Sequence, residues 1–409
     1  MISRNLRIST FSNKYRHDFI HQNIVSRNNH LKSLLKFHYY STSSSIDPYT
    51  EKVNKARFDC VEQISKTDPS TLMISKLYPE YLRDAFIAFK SLNIELSKIS
   101  FGFQPGASNK SKEFNNLKFS FWLQQLEKCE TLTMSNSSNI IRNLNEPCTI
   151  LLADITLKNL NFDISMLKQM IHSHKHFYNN NSSSGFRNLD EICSFGEGTH
   201  SQMNYLMQSI LLSPQLSGFS DAGIKLLELP NSNDLRNNLT DISAHLGQAT
   251  AISSFLIGLK YFAEKKQTLM LPSDTLTKYR LPEEVCLRYL QGNEIEDNTN
   301  NIKELMKNVI FDVATLANDH LISARTKLKT VKDQIHQFSS NNDDIRKLIK
   351  NEKKGFPDCL FLPYISGLPT ILYLERLEKY DFDMLHPNLM YKEWRLAFRT
   401  WNAERTRSF

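Results

Sequence analysis

The sequence predicts an all-α protein built as a single large helical domain. The first observation is the stretch Asp241 to Pro272 (DISAHLGQATAISSFLIGLKYFAEKKQTLMLP), where Leu246, Ala249, Ile252, Phe255 (or Leu256) and Leu259 recur every three to four residues. Gly247, Ala249 and Ala251 keep one face of that helix small, so it is expected to lie buried among other helices, and Leu269-Met-Leu-Pro272 closes it. The same period fills the segments after Tyr78 and from Ile302 to Val331. The third observation is size: 409 residues, 40% apolar and 23% charged, have the composition of a soluble globular protein and ample length for one large core or two ordinary ones.

The chain opens on a basic, acid-poor, Ser-rich segment. Up to Ile46 it has seven Lys or Arg (Arg4, Arg7, Lys14, Arg16, Arg27, Lys32, Lys36), one acid (Asp18) and nine serines, a composition typical of mitochondrial presequences. Without this segment the formal charge of +7 falls near neutrality. Residues 1–40 are therefore read as a presequence, with Phe37 to Ser45 resembling a processing site, and a disordered Asn/Ser-rich tail is the plain alternative.

Thr50 to Ser65 spaces Val53, Ala56, Val61 and Ile64 as a helix, and Asp68-Pro-Ser-Thr71 supplies a turn and a cap. Tyr78-Pro79 starts the next helix with proline in its first turn, followed by Leu82, Ala85, Phe86, Phe89, Leu92, Ile94 and Leu96. Gly102 to Lys112 is a loop. Phe114 to Leu126 is a helix with Leu117, Phe121 and Leu126 expected on its apolar face and Trp122 in the core. Pro147 breaks that helix.

Phe162 to Phe177 is another helix, containing His172, His174 and His176. Helical geometry puts His172 and His176 on one side and His174 on the other, so only two could share a metal; a solvent-facing helix end is expected. Asn179 to Gly185 is a polar surface loop. Leu189 to Leu212 carries Gly196, Gly198 and Thr199 in its middle, which calls for close packing or a kink.

Ser213 to Pro230 is irregular, Leu281 to Leu290 is a short helix with acids in its first turn, and Asn293 to Asn301 is a polar loop. In the long helix Ile302 to Val331, Asp312 and Asp319 are better explained by an ion pair or cap than by catalysis. Ser339 to Gly355 is a charged, solvated insertion. No run reaches the ~18 to 20 uninterrupted apolar residues of a membrane span; the nearest, Cys359 to Leu374, is broken by Pro363, Gly367 and Pro369 and reads as a buried corner. Six scattered cysteines without CxxC spacing suggest neither a zinc site nor a disulfide framework and fit a reducing compartment. There is no Gly-rich phosphate loop, Ser-His-Asp arrangement or nucleic-acid motif.

The organising stretch resembles the late signature helix of the squalene/phytoene synthase family, roughly LGxAxQLTNIxRDxxxD with a basic residue and a YLP-type exit: Leu246, Gly247, Ala249 and the Lys266 to Pro272 exit match that frame. The resemblance covers roughly Thr50 to Lys392 and implies an isoprenoid-synthase-like helical fold, with residues 50–392 as the domain and 393–409 as a C-terminal tail. In the family two aspartates four apart hold magnesium against a prenyl diphosphate. Here those positions fall on Gly258 and Phe262, and the family's asparagine on Ser254. The family's first motif, DDxxD, falls on the run Lys90 to Ser97, where Asn93, Ile94 and Ser97 take the metal-binding places and Glu95 lies off the face. Asn93 and Ser97 could hydrogen-bond a polar headgroup or each other, or serve as ordinary polar packing. Phe195 sits near a tyrosine of the enzymes. The segments Phe356 to Glu378 and Asp381 to Pro387 resemble the closing helix and the short tail of one branch, mitochondrial complex I assembly factors.

The resemblance implies a non-catalytic protein with no catalytic, cofactor-binding or metal residue and no cofactor. It would assist complex I assembly on early intermediates or a membrane-arm subunit, peripheral to the matrix side of the mitochondrial inner membrane, without nucleic acid. Two alternatives stand beside it: a cavity that binds an isoprenoid lipid or quinone, and an active prenyl transferase, which would need carboxylates in both motifs to offset the departing pyrophosphate.

Overall fold

The computed structural model describes residues 47–102, 109–135, 143–180, 185–293 and 299–409. Its chain divides into two units, Met1–Glu51 and Lys52–Phe409, and the description below concerns the second. The presequence 1–40 and the Phe37 to Ser45 site lie outside the described residues, as do parts of the loops expected at 102–112, 179–185 and 293–301. No strand occurs among the described residues.

Asp68 separates the first two helices, α1 (Pro48–Thr67) and α2 (Pro69–Ser75). Its carboxylate accepts from the Thr71 backbone N–H at 3.3 Å and the Thr71 hydroxyl at 2.6 Å, the cap expected from the sequence. Pro79 stands at the N-cap of α3 (Glu80–Ser100), whose Leu82, Phe86, Phe89, Leu92 and Leu96 are buried while Ile94 is half-buried. Both Nε and a terminal nitrogen of Arg57 in α1 donate to Asp84 of α3 at 2.6 Å, a two-pronged pair at the edge of the core.

The next helix, α4 (Asn109–Ser135), is rotated from the expected face. It buries Phe119, Trp122, Leu126, Cys129 and Leu132, whereas Leu117 and Phe121 are exposed. Two apolar stripes share this helix, so period alone could not choose between them. The choice falls to α5 (Pro147–Leu157), apolar all round and buried from Cys148 to Thr156, against which α4 lies.

Then come α6 (Ile164–Asn180), α7 (Leu189–Gly196), one wide π turn at Glu197–Ser201, and α8 (Gln202–Leu211). The stretch Ser213 to Pro230 is not irregular throughout: it holds α9 (Asp221–Glu228). Gly223, which weakens the local helix signal, is required by packing, since a Cβ there would stand 2.4 Å from Cys359 Sγ.

The organising helix, α10 (Asn233–Tyr261), starts ahead of Asp241 and ends in a π turn, Phe262–Lys266, which Gln267 closes with φ 51°. Leu246, Ala249, Ile252, Phe255, Leu256 and Leu259 are all buried, and so are Leu269, Met270 and Leu271 of the exit. By average hydropathy Asn233–Lys266 is long and apolar enough to cross a membrane, where no such span was expected; most of its apolar window is buried, as in a core helix.

After α11 (Ser273–Lys278) and α12 (Glu283–Leu290), the 43-residue α13 (Thr299–Asn341) lies along α10 in the largest helix–helix contact of the fold. Asp312 of α13 accepts from Lys278 Nζ at 2.6 Å and the Tyr279 hydroxyl at 2.9 Å, an ion pair as expected. Asn342 caps α14 (Asp343–Ile349), which is charged yet buries Ile345 and Ile349 and so is not wholly solvated. The corner from Cys359 consists of α15 (Asp358–Phe361), a 3-10 turn and α16 (Leu368–Lys379), largely buried.

The segment set apart as a tail, 393–409, forms α17 (Leu396–Thr406) and belongs to the same compact unit as the rest. Arg407 ends it, fully buried: its guanidinium bonds Asp358 and lies 5.1 Å over the Phe361 ring.

Candidate functional site

The region of interest lies between α3 and the end of α10. Asn93 turns to α6, where its Oδ1 lies 3.1 Å from His174 Nε2; the Ser100 hydroxyl lies 2.8 Å from His174 Nδ1. A carboxamide oxygen only accepts, so Nε2 carries the proton and Nδ1 is free to accept from Ser100. His174 is 1% exposed, not part of a solvent-facing helix end, and burial lowers its pKa to about 3, so the ring stays neutral. His172 and His176 are exposed, as expected of their side of the helix. The signal for His174 was present in the sequence: Leu167, Met170, Ile171, His174 and Phe177 form one buried stripe.

Phe101, just past α3, meets α10 and its π turn. Its ring lies 5.4 Å from Phe262, 5.7 Å from Phe255 and 5.1 Å from Phe177. Phe186 stands 4.7 Å from Phe255, and Phe195 5.6 Å from Phe255 and 5.2 Å from His174. Six phenylalanines thus occupy the interior between α3, α6, α7 and α10 in tilted and edge-to-face contact. Phe262 also folds its ring over Gly258, and a Cβ on Gly258 would lie 2.7 Å from it. The space beside Gly258 is filled by the neighbour one turn on.

Around this aromatic block the polar side chains belong to packing. Glu95 bonds Gln63 of α1 and, at 2.6 Å, Lys98. Ser254 returns a 2.7 Å bond to Thr250 O on its own helix. His200 in the π turn is held neutral, with its pKa lowered to about 3 by burial and then by Lys90 and His174; its Nδ1 has no partner among the described residues. Burial likewise lowers the pKa of Lys90. The small residues of α10 meet those of α7 and its π turn directly: a Cβ on Gly247 would stand 2.4 Å from Ser201 N, and one on Gly196 2.8 Å from the Ala251 Cβ.

Magnesium takes hard oxygen ligands, with at least one or two carboxylates besides substrate phosphates. The residues here do not fit it: Asn93 is engaged by His174, Gly258 has no side chain and Phe262 fills the space with carbon. Among the described residues no group of three or more His, Cys, Asp or Glu is placed to hold a metal ion. A cleft of about 740 Å³ opens outside the aromatic block, lined by His172, His176, Asn179, Arg187 and Glu191 over Phe177 and Phe195. All six cysteines are free.

Comparison with known proteins then places this helical frame. A squalene/phytoene synthase profile matches residues 64–401. The chain belongs to the squalene/phytoene synthase family. Within the family's reach are proteins named "NADH dehydrogenase (ubiquinone) complex I, assembly factor 6": that of Homo sapiens is 24% identical over 333 residues, covering 81% of this chain and 77% of its own. The homolog from Drosophila melanogaster is 22% identical over 345 residues, covering 83% and 80%. A solved dehydrosqualene synthase in complex with ligand superposes with a TM-score of 0.53 at 10% identity, over 87% of this chain and 98% of that one, which shows the shared all-α, isoprenoid-synthase-like fold. The family match ends at residue 401, within α17, so the first part of that helix falls inside the matched span.

Proposed function

We propose that this family member assists the assembly of mitochondrial NADH:ubiquinone oxidoreductase without catalysing a reaction. The observation that carries the proposal is the similarity, over four-fifths of the chain, to assembly factors of that complex from a mammal and an insect. The interior supports it physically. Ionising an allylic diphosphate needs metal-bound carboxylates around the leaving pyrophosphate, and at the places the family uses for them this chain has Asn93, Ser97, Gly258 and Phe262. The phenylalanine block argues against an isoprenoid or quinone held in the interior, because the rings already fill it.

The finer assignment is that the protein works in mitochondria, at the matrix side of the inner membrane, on an early membrane-arm intermediate. The basic, Ser-rich residues 1–46 support import, and the reducing environment suits six free cysteines. Cells lacking the protein should lose assembled complex I on native gels while other respiratory complexes persist. Purified protein should release no pyrophosphate from farnesyl or geranylgeranyl diphosphate with magnesium; turnover would overturn the non-catalytic role, and intact complex I in the null cells would overturn the assembly role.

A further inference from the structure

The C-terminal segment puts its aromatic residues outside. Trp394, Phe398, Trp401 and Arg405 follow one another at spacings of four, three and four, which aligns them on one stripe of α17 and the turn before it. Trp394 is 84% exposed and Phe398 63%, and Met390 and Tyr391 beside them are as open. Trp122 is in the core, so both remaining tryptophans of the chain lie on this face. The stripe protrudes from a firm base. Leu396, Thr400 and Ala403 are buried on the opposite side, and Arg395 and Arg399 both reach Glu375 of α16.

Its charge has one sign. The segment's two acids are drawn into ion pairs, Glu393 with Arg395 at 3.0 Å and Glu404 with Lys353, while Lys392 and Arg405 stand exposed among the aromatics, Arg405 lying 5.4 Å over the Trp401 ring. Tryptophan and tyrosine rings place an apolar body and a polar edge at the headgroup level of a bilayer, and lysine or arginine there meets lipid phosphates. We propose that this aromatic, basic face docks the protein peripherally on an anionic lipid bilayer. The complementarity of charge selects anionic lipid, and the protruding stripe suits insertion into a headgroup layer. The proposal deepens the assembly role, giving its membrane contact a specific face, yet the two can fail separately.

The test uses the full chain and vesicles of phosphatidylcholine with and without phosphatidylglycerol. Residues 1–46 contain no tryptophan, so intrinsic fluorescence reports this face and not the basic leader. Anionic vesicles should shift the emission to the blue, and phosphatidylcholine alone should do so much less. Removing the charges with Lys392→Gln and Arg405→Gln should weaken vesicle affinity roughly fivefold for each. Trp394→Ser with Phe398→Ser should abolish the response of Trp401 while leaving the thermal transition in place. No shift with anionic vesicles, an equal shift with neutral ones, or an unchanged response in these variants would overturn the proposal. If vesicles fail and the serine variant still loses complex I in cells, the face docks a protein, and the lipid proposal falls while the assembly role stands.

Discussion

His174 and His200 show how single residues set this protein's response to pH. Each has an ordinary value of 6.5 lowered to about 3 by burial. Between those values the unfolded chain binds protons that the folded one does not, so stability rises with pH across this window and is lost as pH falls from about 6.5 toward 3. Each histidine contributes a slope of up to about 1.4 kcal/mol per pH unit there. Urea denaturation at a series of pH values should reveal it, and His174→Gln should flatten the slope by one proton's worth; an unaltered slope would refute the assignment. Gly247 is a second case. Alanine there would place its Cβ 2.4 Å from the Ser201 backbone nitrogen, so one helix must shift, and a loss of about 1 to 3 kcal/mol is expected in the same measurement.

At the scale of the element, α17 is an integral helix and not an appendage. Arg407 is buried against Asp358 and Phe361, and Arg325 of α13 donates to the terminal Phe409 carbonyl at 2.9 Å. Arg407→Ala should therefore cost about 2 to 3 kcal/mol, the scale of a charged hydrogen bond plus its packing. Deleting residues 393–409 should cost more and expose the buried wall of α15 and α16, visible as a lowered melting temperature and increased binding of an apolar dye. A truncated protein as stable as the full chain would restore the tail interpretation. The face of α4 teaches the same lesson from the other side: Leu117 and Trp122 both sit at helical spacing, and only contact with α5 and α6 decides which of them is covered.

On the scale of the molecule, the interior between the signature helices is a packed aromatic core. Phe255 touches Phe101, Phe177, Phe186 and Phe195, so Phe255→Ala should open a cavity at the centre of the fold and cost about 3 to 5 kcal/mol, measured by denaturant unfolding. A loss below about 1 kcal/mol would mean that the interior is loosely filled and has room for a ligand.

The helical class, the core residues Leu82, Phe86, Phe89, Leu246, Ile252 and Phe255, the Asp68 cap and the family frame were legible from the sequence, because periodicity, capping chemistry and motif spacing are local properties of the chain. The short α9, the covered side of α4, the burial of His174 and the capture of Arg407 were not. Each depends on partners far away in sequence: Cys359 for Gly223, α5 for Trp122, Asn93 and Ser100 for His174, and Asp358 for Arg407. That Asn93, Ser97, Gly258 and Phe262 carry no acid could be read from residue identities alone. That phenylalanines from α6, α7, α10 and the loops at Phe101 and Phe186 gather into one block was decided only by tertiary packing, since the six rings come from segments that nothing local draws together.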